Sequence, residues 1–386
     1  MRKALSVFIF LFTALSVPAT AADKKPVTDT VVLVTIDGLR WQEVFRGVDP
    51  AFFDHMNYMA YKDTHADFKR DYGGKTPEER RQKLMPFFWS VIAKQGQLYG
   101  NRDKGSKGHV TNPYHFSYPG YSEILTGIPD PRVNSNDKVL NPNRTVLEWL
   151  IHKPENKGKV AAFGSWDVFP FIINEGRSGV PVNAGFEPYP ANGDQEVAML
   201  DKLQADIPSP WDTVRLDAFT MGFARAALRH KKMRMVFIGL GETDDFAHEG
   251  FYDQYANAAH RADKFIGKLW AWLQSDPRYA GHTTLLITCD HGRGGDTLEH
   301  WRSHGHFPYT KADGTKAISN FPGDGQIWMA ALGPDTPALG EISGGEVTSS
   351  QMAATAARFL GYKNYKSDHA TLKAGKPVLT MLGAAK

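Results

Sequence analysis

Apolar runs and segments of helical spacing alternate along most of the chain. Short runs of β-branched and aliphatic residues predict strands buried on both faces, and these runs are residues 31–36, 160–163, 235–240, 284–289 and 327–332. Between them, apolar residues recur every three or four positions, which predicts helices over residues 79–94, 121–125, 144–152, 212–230, 252–273 and 349–360. Strands that alternate with helices favour a mostly parallel sheet covered on both faces. The pattern therefore predicts an α/β fold with three αβα layers.

Two segments depart from this alternation. Residues 164–211 are rich in proline, glycine, asparagine and aromatic residues, which indicates an irregular insertion over the sheet that packs on the core or closes a substrate pocket. Residues 300–325 form a second loop-rich insertion. The chain has 386 residues, 42% of them hydrophobic, which suits one large domain with insertions or two domains. We predict a single domain over residues 22–386.

The first residues have the pattern of a secretory signal. Two basic residues, Arg2 and Lys3, precede an apolar run over residues 4–17, and small residues follow at 19–22. The run is shorter than the roughly 20 residues that cross a bilayer, which argues against a membrane anchor. We therefore predict a signal peptide over residues 1–21 and an exported protein of the bacterial periplasm.

Charge and cysteine content narrow the class of protein. The net charge is only +3 and no basic tract is present, so neither nucleic acid nor an acidic membrane surface is expected as a partner. No later segment is long or apolar enough to span a membrane. The single cysteine, Cys289, falls inside a predicted strand, which indicates a buried, inert thiol and excludes an internal disulfide.

Acidic residues and histidines follow three of the predicted strands and occur in one loop. Because the carboxyl ends of parallel strands meet at one edge of a sheet, we expect these side chains to lie together. Carboxylate oxygen and imidazole nitrogen in combination suit zinc. Taken alone, each residue is better explained as a cap, a turn former or a surface residue, whereas the set favours a metal centre. The candidates are Asp37, Asp244, His248, Asp290, His291 and His304.

The spacing of Asp244 and His248 strengthens the case for this pair. They are four residues apart, so a helical turn would place both side chains on one face, where they can bind one ion. Asp245 would point elsewhere, as a supporting or solvent-exposed residue.

Ser117 begins the stretch Ser-Tyr-Pro-Gly-Tyr, just ahead of a short predicted helix. At the amino end of a helix, backbone N–H groups favour an oxyanion or a phosphate. The alternative is that Ser117 simply caps the helix. A serine hydroxyl is a weak nucleophile unless a base or a metal activates it. Since no Gly-x-Ser-x-Gly elbow surrounds Ser117, metal activation is the better route.

Five short segments together resemble the alkaline phosphatase superfamily, most closely its type I phosphodiesterase and nucleotide pyrophosphatase branch. In chain order they are Asp37-Gly38 after the first strand, Ser117-Tyr-Pro before a helix ending in Leu-Thr-Gly127, Asp244 to His248, Asp290-His291-Gly292, and His304-Gly305 ahead of the last strand. The resemblance extends from about residue 30 to about residue 335. It implies an alkaline phosphatase-like fold.

The resemblance also implies a cofactor and an activity. Two zinc ions, or other divalent metals, are expected, with Ser117 between them as metal ligand and nucleophile. The implied ligands are Asp244, His248 and His304 for one ion, and Asp37, Asp290 and His291 for the other. The implied function is an exported zinc-dependent phosphohydrolase that cleaves small-molecule phosphate monoesters or diesters through a phosphoserine intermediate.

Two features depart from the family pattern. The diesterase branch usually has threonine followed by Phe-Pro-Asn-His, whereas this chain places Gly120 where the asparagine would bind a phosphoryl oxygen. The residues left to replace it are Asn112, Arg293 and Arg302. The last metal ligand is open among three histidines, and His304 is preferred over His300 and His306 because glycine follows it.

Other functions remain as alternatives. A sulfatase of the same superfamily needs an arginine two residues after the proline for cofactor maturation, and Tyr121 stands there. Phosphonate hydrolysis by the same two-metal site stays open. An exported binding protein that keeps the fold is the non-enzymatic alternative, and the joint presence of all six candidate ligands with Ser117 argues against it.

Overall fold

An eight-stranded sheet runs through the computed structural model, which describes residues 26–295, 297–311 and 313–383. The predicted signal peptide, residues 1–21, lies outside the described residues. In chain order the strands are β1 Thr30–Ile36, β2 Gln97–Tyr99, β3 Lys107–His109, β4 Val160–Gly164, β5 Val182–Ala184, β6 Met235–Leu240, β7 Thr283–Thr288, β8 Pro308–Thr310, β9 Lys316–Ile318, β10 Met329–Leu332, β11 Gly340–Glu341 and β12 Glu346–Thr348. The large sheet has the order β11-β2-β10-β7-β1-β6-β4-β5.

The centre of the sheet is parallel. β1 pairs in parallel with β6 on one side and with β7 on the other, and β4 continues the parallel arrangement from β6 to β5. β10 runs antiparallel to both of its neighbours, β7 and β2. Every residue of β1, β6 and β7 is buried, which is why these strands are apolar or β-branched throughout and do not alternate with polar residues.

Helices cover both faces of the sheet. The α-helices are α1 Trp41–Arg46, α2 His65–Tyr72, α3 Pro77–Leu84, α4 Ala93–Gln95, α5 Ser117–Thr126, α6 Val146–Ile151, α7 Phe169–Ile172, α8 Glu175–Ser178, α9 Gln195–Asp206, α10 Asp217–His230, α11 Glu242–Glu249, α12 Tyr252–Ser275 and α13 Met352–Phe359. One layer is built by α9, α10, α11 and α12, and the other by α5, α6 and α13. The predicted αβα architecture with a mostly parallel sheet is confirmed.

The five predicted core strands are confirmed with small shifts at their ends. The helix predicted over residues 79–94 is wrong as one element, because α3 ends at Leu84 and a π-helical turn, Phe88–Ile92, follows. Pro86 stands at the break, where it has no N–H to continue the helix. The helix predicted over 121–125 begins earlier, at Ser117.

The two predicted insertions contain more regular structure than expected. Residues 164–211 hold α7, α8 and α9, and β5 within them adds an edge strand to the sheet. Residues 300–325 contain the β8–β9 hairpin. Among the described residues, no helix combines the length and apolar character needed to cross a bilayer. Cys289 is buried as predicted, and burial raises the pKa of its thiol.

Candidate metal centre

The predicted ligands converge at the carboxyl ends of three adjacent strands. Asp37 directly follows β1, and α11, which begins two residues after β6, carries Asp244 and His248. Asp290 and His291 follow the end of β7. Because β6, β1 and β7 are neighbours and parallel, their ends open on one edge of the sheet. The arrangement expected from the sequence is therefore the one that the fold provides.

Asp37, Asp290 and His291 form one half of this cluster. The Nε2 atom of His291 lies 3.3 Å from Oδ1 of Asp37 and 3.4 Å from Oδ2 of Asp290. The Nδ1 atom of His291 lies 2.9 Å from the backbone oxygen of Gly292, so Nδ1–H donates there and Nε2 is the atom that carries the lone pair when the ring is neutral. Oδ1 of Asp37 and Oδ2 of Asp290 are buried without a hydrogen-bond partner. A cation among these acceptors would satisfy all three, so the residues fit a metal ion.

Asp244, His248 and His304 form the other half. Nε2 of His248 is 3.1 Å from Oδ2 of Asp244, which is the contact expected across one turn of helix α11. Nε2 of His304 is 3.0 Å from Nε2 of His248, while Nδ1 of His304 lies 3.3 Å from the backbone oxygen of His115. These three residues thus offer two imidazole nitrogens and a carboxylate to one point.

The two halves are in contact. Oδ1 of Asp244 lies 3.6 Å from Nε2 of both His291 and His304, and the two imidazole rings stack with centroids 3.9 Å apart. Asp244 also forms a possible ligand group with Asp37 and His291. The geometry therefore supports a joint centre, and the division of the ligands between two ions remains a prediction.

Burial and neighbouring charges shift the pKa values of the candidate ligands in different directions. Burial, reinforced by the charge of Asp37, raises the pKa of Asp290 well above its usual value. Burial acts to lower the pKa of His291, but the carboxylates of Asp290 and Asp37 outweigh it and raise that pKa to about 9. Burial holds the pKa of His304 well below its usual value, and His291 and Arg293 add to the effect. The acidic half attracts a cation, and a metal ion bound there would displace the proton that the raised pKa places on His291. His304 is already neutral, as a metal ligand must be.

Ser117 lies beside the carboxylate-rich half. It is buried, it is the first residue of α5, and its Oγ is 3.3 Å from Nε2 of His291. The capping position of α5 is Phe116, which makes no side-chain capping bond. The alternative of Ser117 as a simple helix cap is therefore not what the structure shows. Its hydroxyl instead points towards the predicted metal ligands.

Two residues near Ser117 were not found by sequence reasoning. The hydroxyl of Tyr121 donates to Oδ2 of Asp37 at 2.9 Å. The side-chain oxygen of Asn136 accepts a hydrogen bond from the backbone N–H of Tyr118 at 2.9 Å. Asn136 is exposed, so the donor half of its carboxamide stands free for a ligand at the amino end of α5. No motif marks Asn136, because it comes from a loop after the helix.

An asparagine does not fit at position 120, where this chain has glycine. A Cβ atom there would lie 2.4 Å from the backbone oxygen of Asp290, closer than any side chain can approach. Asn112 does not replace it either, because its carboxamide nitrogen donates to Glu123 at 2.9 Å and its oxygen accepts from the backbone N–H of His115. Both ends of the buried Asn112 carboxamide are therefore engaged within the fold, which argues against it as the phosphoryl ligand.

The two arginine candidates lie near the centre in different settings. Arg293 is fully buried, forms an ion pair with Asp244, and donates to the backbone oxygen of Arg302 at 2.6 Å. Burial lowers its pKa to about 9. Arg302 is partly exposed and lies against a cavity of about 340 Å³ that opens beside His248 and His304. Arg293 is thus tied to the metal ligands, whereas Arg302 pairs with the exposed Glu299, at 3.3 Å, and can turn to meet a substrate.

The structure separates the three histidines that competed for the last ligand position. His304 lies against Asp244 and His248. His300 packs on the ring of Phe321, with ring centroids 5.4 Å apart. His306 instead faces Asp324, with its Nε2 atom 3.4 Å from Oδ2. Of the three, His304 is the one that the structure brings to the centre.

Comparison with solved structures shows the fold of the alkaline phosphatase superfamily. The crystal structure of wild-type alkaline phosphatase PafA has a TM-score of 0.57 at 12% identity, covering 94% of this chain and 100% of that chain. A putative sulfatase from Bacteroides thetaiotaomicron has a TM-score of 0.57 at 14% identity, with 94% and 76% covered. The lipoteichoic acid synthase LtaP from Listeria monocytogenes has a TM-score of 0.54 at 11% identity, with 92% and 76% covered. At these identities the likeness shows the fold alone.

Comparison by sequence gives the family. Among curated proteins, none matches this chain. A model of the type I phosphodiesterase/nucleotide pyrophosphatase family matches residues 98–296, which is more than half of the chain and includes Ser117, Asp244, His248, Asp290 and His291. Because this match and the alkaline phosphatase-like fold agree, the chain belongs to the type I phosphodiesterase/nucleotide pyrophosphatase family of hydrolases.

Proposed function

We propose that this protein is an exported, zinc-dependent phosphohydrolase that cleaves small phosphate esters through a phosphoserine formed on Ser117. The observation that carries the proposal is the position of the Ser117 hydroxyl, 3.3 Å from His291, beside a cluster of carboxylates and imidazoles. The proposed ligands are Asp244, His248 and His304 for one ion, and Asp37, Asp290, His291 and the Ser117 oxygen for the other.

The chemistry needs both a nucleophile and compensation of charge at phosphorus. When bound, two zinc ions would lower the pKa of the Ser117 hydroxyl and stabilise the attacking and leaving oxygens. The Ser117 hydroxyl gives its proton to solvent and its Oγ forms a bond to phosphorus, while the bond from phosphorus to the leaving oxygen breaks and that oxygen takes up a proton from solvent. Water then displaces Ser117 from phosphorus, which restores the free serine and releases phosphate or a monoester.

Groups at the amino end of α5 would hold the phosphoryl oxygens. At this end of the helix the N–H of Tyr118 is taken by Asn136 and Pro119 has none, so the backbone N–H of Ser117 is the one left to meet an anion. The carboxamide N–H of Asn136 adds a side-chain donor at the same end. Donors placed where charge develops stabilise the transition state more than the substrate.

Two neighbours of the ligands have positioning roles in this proposal. Tyr121 donates to one oxygen of Asp37 and so fixes the direction of the other oxygen. Arg293 pairs with Asp244 and so holds the position of that carboxylate. Hydrogen bonds to metal ligands from surrounding residues orient the ligands and tune the affinity for the ion.

Export is supported by the sequence pattern of residues 1–21, with basic residues before an apolar run. Fractionation of the native host with an antibody to the protein tests this part. Loss of the first 21 or so residues and recovery outside the cytoplasm would support export, and an uncleaved cytoplasmic protein would refute it.

The catalytic proposal is tested by counting metals and measuring hydrolysis together. Purified protein is analysed for bound metals and assayed with p-nitrophenyl phosphate, bis-p-nitrophenyl phosphate, p-nitrophenyl sulfate and a phenylphosphonate ester. We expect about two zinc ions at the centre and turnover of a phosphate ester. A preference for the sulfate ester, or no turnover of any phosphate ester, would contradict the proposal.

Ser117→Ala should lower kcat by at least about 10³-fold, because the covalent step is lost. The matched control is Ser122→Ala on the same helix, where the hydroxyl accepts from Asn141 at 3.0 Å and does not face the metal ligands. Trapping of a ³²P-labelled protein at Ser117 by acid quench would support the phosphoserine. Full activity of Ser117→Ala would overturn it.

A further inference from the structure

A second group of metal-ligating side chains lies next to the candidate centre and shares none of its proposed ligands. It consists of His115, His306 and Asp324, which we call the His-Asp-His cluster. His115 comes two residues before Ser117, and His306 comes two residues after His304. Asp324 is buried in the loop that precedes β10. Three separate loops thus contribute one side chain each.

Both imidazoles of this cluster face the carboxylate of Asp324. Nδ1 of His115 forms a hydrogen bond with Oδ1 at 2.6 Å, and Nε2 of His306 lies 3.4 Å from Oδ2 without forming one. The two rings are 4.2 Å apart between centroids. The possible ligand atoms of the three residues lie within 4.8 Å of one another, which is close enough for one ion.

Hydrogen bonding does not account for the position of His306. Its Nδ1 atom lies 2.9 Å from the backbone oxygen of Pro113, so Nδ1 carries the proton that is donated there. The neutral ring then has a lone pair on Nε2, and this atom faces a carboxylate oxygen of Asp324, which is also an acceptor. Nε2 of His306 is buried and has no hydrogen-bond partner. A cation between these two atoms would satisfy both, whereas a neutral His306 leaves two acceptors facing each other across 3.4 Å.

We propose that the His-Asp-His cluster is a third metal site, which binds a divalent transition metal such as zinc. Two imidazoles and one carboxylate are a donor set that zinc accepts, with water completing the coordination. About a fifth of each imidazole side chain is exposed, 22% for His115 and 23% for His306, so an ion and its water can enter from solvent. The proposal stands on this cluster alone and does not depend on the activity proposed for Ser117.

The site would join the loops that carry the nucleophile and the last ligand. The backbone oxygen of His115 lies 3.3 Å from Nδ1 of His304, and the backbone N–H of Gly305 donates to Asp324 at 3.1 Å. An ion held by His115, His306 and Asp324 would therefore tie the segment before Ser117 to the segment after His304. The bound ion would thus have a structural effect, because it would fix the positions of these two segments.

Metal content separates this site from the proposed catalytic centre. We expect wild-type protein to hold about three zinc ions after dialysis against micromolar zinc, and His306→Ala to hold one fewer. His300→Ala is the matched control, since His300 is a partly buried histidine of the same segment whose ring meets that of Phe321 edge to face. In Asp37→Ala the His-Asp-His cluster should keep its ion while the other centre loses metal.

Several outcomes would overturn the third site. One is an equal zinc content in wild type, His306→Ala and Asp324→Asn. Another is a loss in His300→Ala as large as that in His306→Ala. If the catalytic proposal fails, for example because Ser117→Ala is fully active, the difference between wild type and His306→Ala is still expected. The two proposals are therefore refuted by different results.

A measurement on the unmodified protein covers the case in which a variant does not fold. Diethyl pyrocarbonate is added to wild-type protein with and without zinc, and modified peptides are quantified by mass spectrometry. Zinc should protect His306 by about tenfold or more, because its Nε2 becomes a ligand. The exposed His55 is the internal control and should react equally in both samples. Equal modification of His306 with and without zinc would refute the site.

Discussion

The hydroxyl of Tyr121 donates a hydrogen bond to the carboxylate of Asp37 at 2.9 Å. This bond links α5, which begins at Ser117, to the end of β1, where Asp37 stands. It occupies Oδ2 of Asp37, and Oδ1 is left without a partner next to His291. The position at which a sulfatase would need an arginine is therefore filled by a residue that orients a candidate metal ligand.

Tyr121→Phe should weaken zinc binding by roughly 10-fold, because a ligand loses the hydrogen bond that orients it. The fold should persist, since the ring stays packed against Phe169. Competition with a fluorescent chelator measures the affinity. The control is Tyr118→Phe, because the hydroxyl of Tyr118 donates to the backbone oxygen of Phe171 and not to a candidate metal ligand. Equal zinc affinity in wild type and Tyr121→Phe would show that Tyr121 does not support Asp37.

Asn136→Ala should lower kcat by roughly 10²-fold without changing metal content, since a donor to the phosphoryl oxygens is lost. The exposed Asn134 in the same loop provides the control variant Asn134→Ala. Steady-state kinetics with p-nitrophenyl phosphate and metal analysis of the same samples check both parts. If Asn136→Ala keeps wild-type kcat, the donor at the amino end of α5 must be sought elsewhere.

His304→Ala should lose about one zinc ion of the proposed two-metal centre, because the ion held with Asp244 and His248 would keep only two protein ligands. His300→Ala should keep both ions, as its ring packs on Phe321. Metal analysis after dialysis against micromolar zinc distinguishes them. Full metal content in His304→Ala would show that His304 is not the last ligand and would favour His300 or His306.

Much of this site could be predicted from the sequence, because the strands that carry it are buried on both faces. Apolar runs of six residues predicted β1, β6 and β7, and parallel pairing requires that their carboxyl ends share an edge of the sheet. The side chains directly after those runs, such as Asp37 and Asp290, could be placed with little further information. Short strands such as β2 and β11 were missed, because two or three residues carry no periodic signal.

Residues that reach the site from loops could not be placed in the same way. Asn136 accepts one hydrogen bond from the amino end of α5, and no pattern in its local sequence predicts that contact. The need for glycine at position 120 also comes from the tertiary structure, because the backbone oxygen of Asp290 leaves no room for a Cβ atom there. The grouping of His115 with His306 and Asp324 depends on three loops that meet only in the folded chain.

Arg302→Ala should raise KM for anionic phosphate esters by several-fold and leave kcat within about twofold, because a partly exposed guanidinium beside the cavity attracts the substrate equally in ground and transition states. The control is Arg278→Ala, an arginine of similar exposure that pairs with Asp276 ahead of β7, at the opposite edge of the sheet. KM measured at low and at high salt checks the electrostatic origin. An unchanged KM at low salt would remove Arg302 from substrate binding.

Asp263 on α12 should make stability depend on pH in a defined direction. Its carboxylate is buried and accepts hydrogen bonds from the backbone N–H groups of Phe87 and Phe88 at 2.8 and 2.9 Å. Burial raises its pKa to about 7, although these two bonds act in the opposite sense. The folded state therefore binds the proton more tightly than the unfolded state. The stabilisation from this proton is present at low pH and is lost as pH rises towards 7.

Comparison with Asp263→Asn isolates this effect, because the variant cannot titrate at the position and other groups contribute equally to both proteins. The unfolding free energy of wild type, relative to that of Asp263→Asn, should fall by roughly 2 kcal/mol between pH 5 and pH 7.5. Urea unfolding at several pH values, followed by tryptophan fluorescence, gives the two curves. Parallel curves would mean that Asp263 titrates at an ordinary pKa, with the two backbone donors outweighing burial. A rise of the wild-type curve relative to the variant would contradict the sign of the shift itself.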